Sequence, residues 1–355
     1  MLLGVFLTKS KKRKDDNMSK YKKQHYVPRL YLKGFAINKK QDRINVYDKS
    51  RNKFRKNQQF MNVAAENYFY DFDLEAIYES CSEEKKTEFH KVFGNDATPK
   101  SVRDKHLVEK FLGDMVEGAY KKFLDKLISS IDRAKNNSWC LKNCMCLSED
   151  DKKEFSYYLA IQFFRGKYLP NSFTAFCEKV VGIKISENTA KLEQIKCLID
   201  SKRINIVRDV LLKHKWVIYI NNTDIDLYTS DNPFIIQPHT SKMGVQCNYL
   251  NADSVEYVFP ITKSAILVIY SEKAYEVMQS KHGIDIYPDD MKPEDRRFRE
   301  MNNIKQAEYY NTLQIAYSIN EIYFSDDSDK FIKRTLKAHP EFLTKEYITK
   351  LDDNE

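Results

Sequence analysis

The alternation of hydrophobic and polar positions divides the 355-residue chain into β-prone ends and a helical middle. Near the N-terminus, INVYD (44–48) and KFR (53–55) flank the polar KSRN. Short β-prone runs around a polar turn predict a hairpin, and NYFYD (67–71) is expected to add a strand. From Leu74 the spacing becomes helical. Leu74, Ile77, Tyr78 and Cys81 share one face of 74–93, and Val108, Leu112, Met115, Ala119, Phe123 and Leu127 form one stripe of 103–131. Ser148 followed by Asp151 marks a capping box that opens a helix running through Arg165, with the acidic first turn that suits the positive end of a helix dipole. A third helical stretch, 187–215, is expected to break near Arg203. After Trp216 the runs WVIYI, DLYTSDNPFII, VEYVFPIT and AILVIY are β-branched and aromatic. Residues 301–319 return to helical spacing and EIYFS (321–325) closes as a strand. The order β, α, β, α, β predicts an α+β fold packed as one mixed domain over 20–345, with the helical middle at about 74–215. A basic extension (1–19), expected to be disordered, precedes it, an acidic tail (346–355) follows, and 282–297 is the expected flexible excursion.

Composition supports a packed core. Hydrophobic residues make up 42% of the chain, with 23 Tyr and 21 Phe, which excludes global disorder. Nine Gly and nine Pro exclude collagen-like and low-complexity architectures. The net charge of +8 is uneven: residues 1–56 carry +14, which leaves −6 on the remainder. Such a block attracts polyanions; the competing reading is a solvated tail and a lysine-rich strand face. No apolar run approaches the ~20 residues of a membrane span. The start MLLGVFL precedes KKRK, the reverse of a secretory signal, and Met18 is an alternative start. These features lead to the expectation of a cytoplasmic chain without a membrane partner, whose seven cysteines are reduced.

Several clusters carry candidate chemistry. CLKNCMC brings Cys140, Cys144 and Cys146 together, but C-x3-C-x-C without a second half is not a structural zinc pattern. In QHYVP, strand alternation would put His25, Val27 and Arg29 on one side, and Pro28 confines the strand to an edge. Gln162 and Arg165 lie on a helix that is apolar almost all round, YYLAIQFFRG, so the guanidinium needs a carboxylate, carbonyls or a phosphate. Glu117 sits off the apolar stripe of its helix, where an i,i+4 pair with Lys121 is the plain alternative. In YTSDNPF, Ser230 and Asp231 fall at a strand end stopped by Pro233. P-loop, G-x-G-x-x-G, G-x-S-x-G and H-E-x-x-H patterns are missing, which argues against the familiar forms of NTPase, dinucleotide enzyme, serine hydrolase and zincin.

Taken in order, QHYVPRLYLKGFA, INVYD, WVIYI with LYTSDNPF, FPIT and NTLQIAYSINEIYFS resemble domain-of-unknown-function family 4238. That family pattern opens with HYVP-x-x-YL-x-x-F and has a mid-chain helical glutamate, a Q-x-x-R helix, a strand ending in T-S-D-N-P and an Asn-led helix running into a short strand. The resemblance spans about 24–325 and carries over to His25, Pro28, Glu117, Gln162, Arg165, Ser230, Asp231, Pro233 and Asn311. It implies a setting in bacterial anti-phage defence and no established reaction. Grouping the polar residues gives the leading expectation, an effector that cleaves phosphodiester bonds in nucleic acid. Asp231 and Glu117 would hold Mg2+ or Mn2+, Arg165 would stabilise phosphate charge, His25 would serve as general acid or base, and Gln162 would orient water or substrate. Lys20, Lys22, Lys23, Arg29, Ser230 and Asn311 are the candidate substrate contacts. The alternatives are a non-enzymatic sensor of nucleic acid or phage protein, and an enzyme acting on a nucleotide metabolite.

Overall fold

The computed structural model describes residues 23–38, 42–71, 74–79, single positions between 82 and 108, 112–239, 250, 252–274, 276, 298–325 and 329–344. The 1–19 extension, Lys20, Lys22, the 282–297 excursion and the 346–355 tail lie outside the described residues. Two larger sheets carry the fold. Strands β2 (Arg43–Asp48) and β3 (Lys53–Gln59) form the expected hairpin, and Asn52 adopts positive φ in its turn. They belong to an antiparallel sheet of order β3-β2-β11-β6, with β6 at Thr229–Ser230 and β11 at Glu321–Phe324. The second sheet, β10-β5-β9-β8-β7, comprises β5 (Lys215–Asn221), β7 (Ile235–Pro238), β8 (Val255–Thr262), β9 (Ala265–Tyr270) and β10 (Arg299–Met301), which pairs parallel to β5. Strands β8 and β9 are buried along their whole length, as their unbroken apolar runs require. Because β6 and β7 are successive pieces of DLYTSDNPFII, the S-D-N-P turn is where the chain crosses from one sheet to the other. The mixed sheets and helical middle make the architecture α+β, as expected.

A short ladder pairs β1 (Lys23–His25) with β4 (Ala65–Asn67), His25 lying opposite Ala65. The strand stops at His25, and Pro28, with φ −61° and ψ 135°, is the N-cap of helix α1 (Arg29–Leu32). This corrects the expected alternation: Val27 is buried and Arg29, already helical, is exposed, so the two do not share a face with His25. Strand β4 ends at Asn67, short of the run expected to form it, and Ala64 and Tyr68 on either side of it have φ of 53° and 58°. Non-glycine residues in this region cost about 1 kcal/mol or more, so β4 is held at a local energetic penalty beside the HYVP segment.

Among the described residues, helix α2 (Leu74–Glu79) starts the helical middle. A π-helical turn at Leu112–Glu117 runs into α3 (Gly118–Asn136). The wider turn offsets the apolar stripe locally, while Leu112, Phe123 and Leu127 are buried as expected. Val116 and Tyr120 are buried and Ala119 is exposed, where an uninterrupted α-helix would have buried 119. Then come α4 (Ser138–Asn143), capped by the Asn137 side chain, and α5 (Glu149–Arg165). The Ser148–Asp151 capping box of α5 is complete, with both reciprocal bonds formed. Helix α6 (Tyr168–Phe176) was not anticipated. The third stretch divides at Asp200, which caps α8 (Ser201–Leu212) after α7 (Glu187–Ile199). Helix α9 (Ile304–Tyr317) packs on β6, β7 and β10 and thus braces both sheets, and α10 (Asp329–Ala338) packs against α9.

Candidate functional site

The buried end of α5 grips the HYVP segment by its backbone. Gln162 and Arg165 lie one turn apart on α5, and their side chains take the carbonyls of two adjacent residues. Gln162 Nε2 donates to Tyr26 O at 3.1 Å. Arg165 donates to His25 O through Nε at 3.0 Å and Nη2 at 2.7 Å. The same Nη2 reaches Glu117 Oε1 at 2.7 Å. The Arg165 side chain is 2% exposed, so this pair sits in a low-dielectric setting on the arginine side, while Glu117 is 31% exposed. The π-helical turn before α3 is what delivers Glu117 here; Lys121, its alternative partner, pairs instead with Asp125 at 2.6 Å. Tyr70 and Gln194 finish the α5 terminus. Tyr70 Oη donates to Arg165 O at 3.1 Å, and Gln194 Nε2 lies within 3.1 Å of the carbonyl oxygens of Phe164, Arg165 and Gly166.

His25 projects to the other side of its own carbonyl. Its ring hydrogen-bonds the Phe60 carbonyl, and Nε2 is shielded from solvent without a hydrogen-bond partner. Burial, then the Arg29 and Arg165 guanidiniums, push the imidazole down to about 4, and the Phe60 bond and Glu117 offset only part of this. His25 is neutral at pH 7. In front of Phe60 and Glu117 opens a cavity of about 580 Å³, also lined by Arg29, Lys33, Asp42 and Arg43. Lys33 pairs with Asp42 at 3.8 Å, and Arg43 donates to Asn57 O at 3.0 Å. Arg29 makes no hydrogen bond or ion pair with another described residue.

The S-D-N-P turn lies against the opposite side of HYVP. Asp231 is fully buried, and its two carboxylate oxygens accept the backbone N–H groups of Ile319 (2.7 Å), Asn320 (2.7 Å) and Glu321 (3.1 Å). Its own N–H returns to Glu321 O at 3.0 Å. Burial pushes its carboxyl up to about 6, against the pull of Lys167 and of the backbone donors. Lys167 stands 4.5 Å over the Tyr26 ring and pairs with Glu66, and Tyr26 in turn hydrogen-bonds Tyr323. Ser230 Oγ donates to Gln314 Oε1 at 2.8 Å, and Gln314 Nε2 donates to Pro233 O at 3.2 Å. Asn311 accepts from Tyr228 N at 2.8 Å and donates to Asp226 O at 3.0 Å. The buried Lys49 ammonium closes the C-terminus of α9 through Ile315 O (3.1 Å) and Ser318 O (2.7 Å).

His25, Glu117, Gln162 and Arg165 thus meet around one peptide segment. Asp231 is not bonded to this group; its carboxylate is turned to residues 319–321. Glu117 and Asp231, the expected metal ligands, are each engaged elsewhere, Glu117 through one oxygen and Asp231 through both. Among the described residues no three His, Cys, Asp or Glu side chains gather as metal ligands. Arg165 does not line the cavity; Arg29 and Glu117 do. Ser230 and Asn311 are buried in backbone-directed bonds, and Lys23 is tied at the surface to Asn62 at 2.8 Å. The sequence reading missed Tyr70, Gln194, Gln314 and Lys49, although a glutamine on a helix with few exposed positions is the same signal that singled out Gln162. Residues 23–328 match the model of a family described as protein of unknown function, DUF4238. The chain belongs to DUF4238. No curated protein and no solved structure matches it. Among the described residues no helix is long and apolar enough to cross a membrane.

Proposed function

We propose that this DUF4238 chain hydrolyses phosphodiester bonds in nucleic acid, as an effector of anti-phage defence. The observation that supports this best is the cavity lined by Glu117 and Arg29. At about 580 Å³ it has room for one nucleotide unit, and its wall carries the Glu117 carboxylate and the unspent Arg29 guanidinium. Arg165 fixes Glu117 through Oε1, which leaves Oε2 to face a water. In the reaction the water oxygen bonds to phosphorus as its proton passes to Glu117. The bond from phosphorus to the leaving oxygen breaks, and that oxygen takes the proton that Glu117 has accepted. Arg29 offsets the phosphate charge. Glu117 Oε2 is also the oxygen available to Mg2+ or Mn2+, whose contribution would be to polarise the phosphate. Arg165 and Gln162 act as positioning residues through the His25 and Tyr26 carbonyls.

The test is cleavage of single- and double-stranded DNA and RNA by the full chain, with Mg2+, Mn2+ or EDTA. Wild type is expected to cleave at least one of these, and Glu117→Gln and Arg29→Gln to lose about 10²-fold or more each. Absence of cleavage of every substrate in every metal condition removes the proposal. A binding role without cleavage is the second reading, favoured by the complete internal satisfaction of Ser230, Asp231 and Asn311. Salt-dependent nucleic-acid binding by a chain that does not cleave would select it.

A further inference from the structure

Strand β3 is the end strand of its sheet, and helix α10 lies beside it. Lys333 Nζ of α10 stands 5.1 Å over the Phe54 ring of β3. Phe324 and Tyr228 carry further ring contacts from Phe54 to Phe331 of α10, and the Lys56 charge acts on the Asp329 carboxylate at the helix start. Helix α10 buries Ile332, Thr335 and Leu336 and leaves Lys330, Lys333, Arg334 and Lys337 exposed. Their spacing of three and four residues sets them in one stripe. Lys53 and Lys56 are exposed on β3. Against these cations stand Asp329, 2.8 Å from Lys333, and Glu308, 2.6 Å from Arg334. Asp48 and Glu321 beside the strand are engaged by Arg51 and Arg55. Lys53, Lys330 and Lys337 make no ion pair with another described residue, so the face is left with an excess of positive charge.

Lysines on an edge strand guard it against pairing with other chains, which accounts for Lys53 and Lys56 alone. Helix α10 has no edge to guard. Lys330 neighbours Lys333 and Arg334 on it, and Lys337 neighbours the same two, at spacings where like charges weaken a helix. A polyanion reverses that contribution: phosphates set between the cations turn repulsion into attraction and release condensed counterions. The strand also gives the face a direction. β3 ends at Gln59, opposite Arg43, and both residues line the cavity of Arg29 and Glu117. From Gln59 to Lys53 the strand spans about 20 Å at about 3.3 Å per residue, the length of about six nucleotides of a duplex strand. We infer that the β3–α10 face is a nucleic-acid track leading to the cavity, bound through the phosphate backbone and hence without regard to sequence. This deepens the phosphodiesterase reading and rests on it for the choice of partner.

Fluorescence anisotropy of the full chain with DNA and RNA oligonucleotides several times longer than the track, single- and double-stranded, reads the affinity over a range of salt concentrations. Binding is expected to weaken steeply as salt rises. The double variant Lys330→Gln/Lys337→Gln changes exposed positions outside the cavity lining and is not expected to threaten folding. It is expected to weaken binding about tenfold or more and to flatten the slope of log affinity against log salt by about 1.4 to 1.8, as the loss of two phosphate contacts requires. Lys179→Gln/Lys184→Gln removes the same charge from the exposed segment between α6 and α7 and is expected to leave binding unchanged. Equal binding in wild type and the α10 variant, an equal loss in both double variants, or a chain that binds no nucleic acid overturns the inference. Preferential capture by phosphatidylserine vesicles, lost with Lys330 and Lys337, gives the face to a membrane surface and also overturns it. Binding lost in the α10 variant of a chain that cleaves nothing upholds the inference and removes the cleavage reading. Cleavage with kcat/KM undiminished in that variant upholds the cleavage reading and overturns the track.

Discussion

Asp231 is the motif residue whose role a stability measurement decides most sharply. Its carboxylate is fully buried and takes three backbone N–H groups of the turn that follows α9. Burial nevertheless dominates and raises its carboxyl to about 6, above the ordinary 3.8. The folded state therefore binds this proton more tightly than the unfolded chain does. The contribution to stability is complete below pH 3.8 and declines as pH rises through about 6. Over that whole window the loss amounts to about 3 kcal/mol, at about 1.4 kcal/mol per pKa unit. Between pH 4.5 and pH 7 the expected part of it is about 2 kcal/mol. The Asp231→Asn variant has no such titration. Its amide accepts through one oxygen and turns a donor toward one of the three N–H groups, a fixed cost of about 1–3 kcal/mol. Urea unfolding of wild type and Asp231→Asn at both pH values separates the two effects. The fixed cost appears at both, and wild type is expected to lose about 2 kcal/mol relative to the variant on going from pH 4.5 to pH 7. Other titrating groups cancel in this difference. An unchanged difference would refute the dominance of burial. A difference that grows in favour of wild type as pH rises would show that the three amides outweigh the loss of water.

Arg165→Met strips the His25 carbonyl and Glu117 of their shared donor at once, with an expected loss of about 3–5 kcal/mol in urea unfolding. In a double-mutant cycle with Glu117→Gln the two changes are expected to couple by more than about 1 kcal/mol, and simple additivity would refute the clamp. Gly34→Ala would place a Cβ 2.7 Å from Ile261 O and 3.2 Å from Thr262 Cα, backbone atoms that cannot swing aside. The expected cost is about 1–3 kcal/mol, and a variant as stable as wild type would show that the 33–35 turn can lift off β8.

How much of this was legible from residue types follows what each feature depends on. Strands β8 and β9 and helix α5 were placed to the residue because an unbroken apolar run and a capping box are local signals. Leu112, Phe123 and Leu127 fall on the buried face as expected, but the burial of Val116 and Tyr120 in place of Ala119 was not legible, because a π-helical turn leaves no mark in the sequence; Glu117, at the end of that turn, pairs with Arg165. Helix α6 went unseen: its sequence YLPNSFTAF holds a proline in the first turn, and it follows Arg165 after only Gly166 and Lys167. In HYVP, alternation was extended past a proline that in fact ends the strand and caps a helix.

The distribution of motif residues has a physical cause that also limits what they disclose. Gln162, Arg165, Asp231 and Asn311 all spend their side chains on backbone carbonyls or amides of distant segments: His25 and Tyr26, 319–321, Tyr228 and Asp226. A backbone group presents the same donor or acceptor whatever residue carries it, so these bonds constrain only the residue that contributes the side chain. Such side chains read in isolation as catalytic candidates, because a buried arginine, aspartate or glutamine without an evident partner has the same profile as a site residue. What distinguishes the two is whether any bonding capacity is left over. By that criterion Asp231, Gln162 and Asn311 build the frame, while Arg29 and Glu117 Oε2 keep bonding capacity for a ligand, and both residues line the one cavity described above.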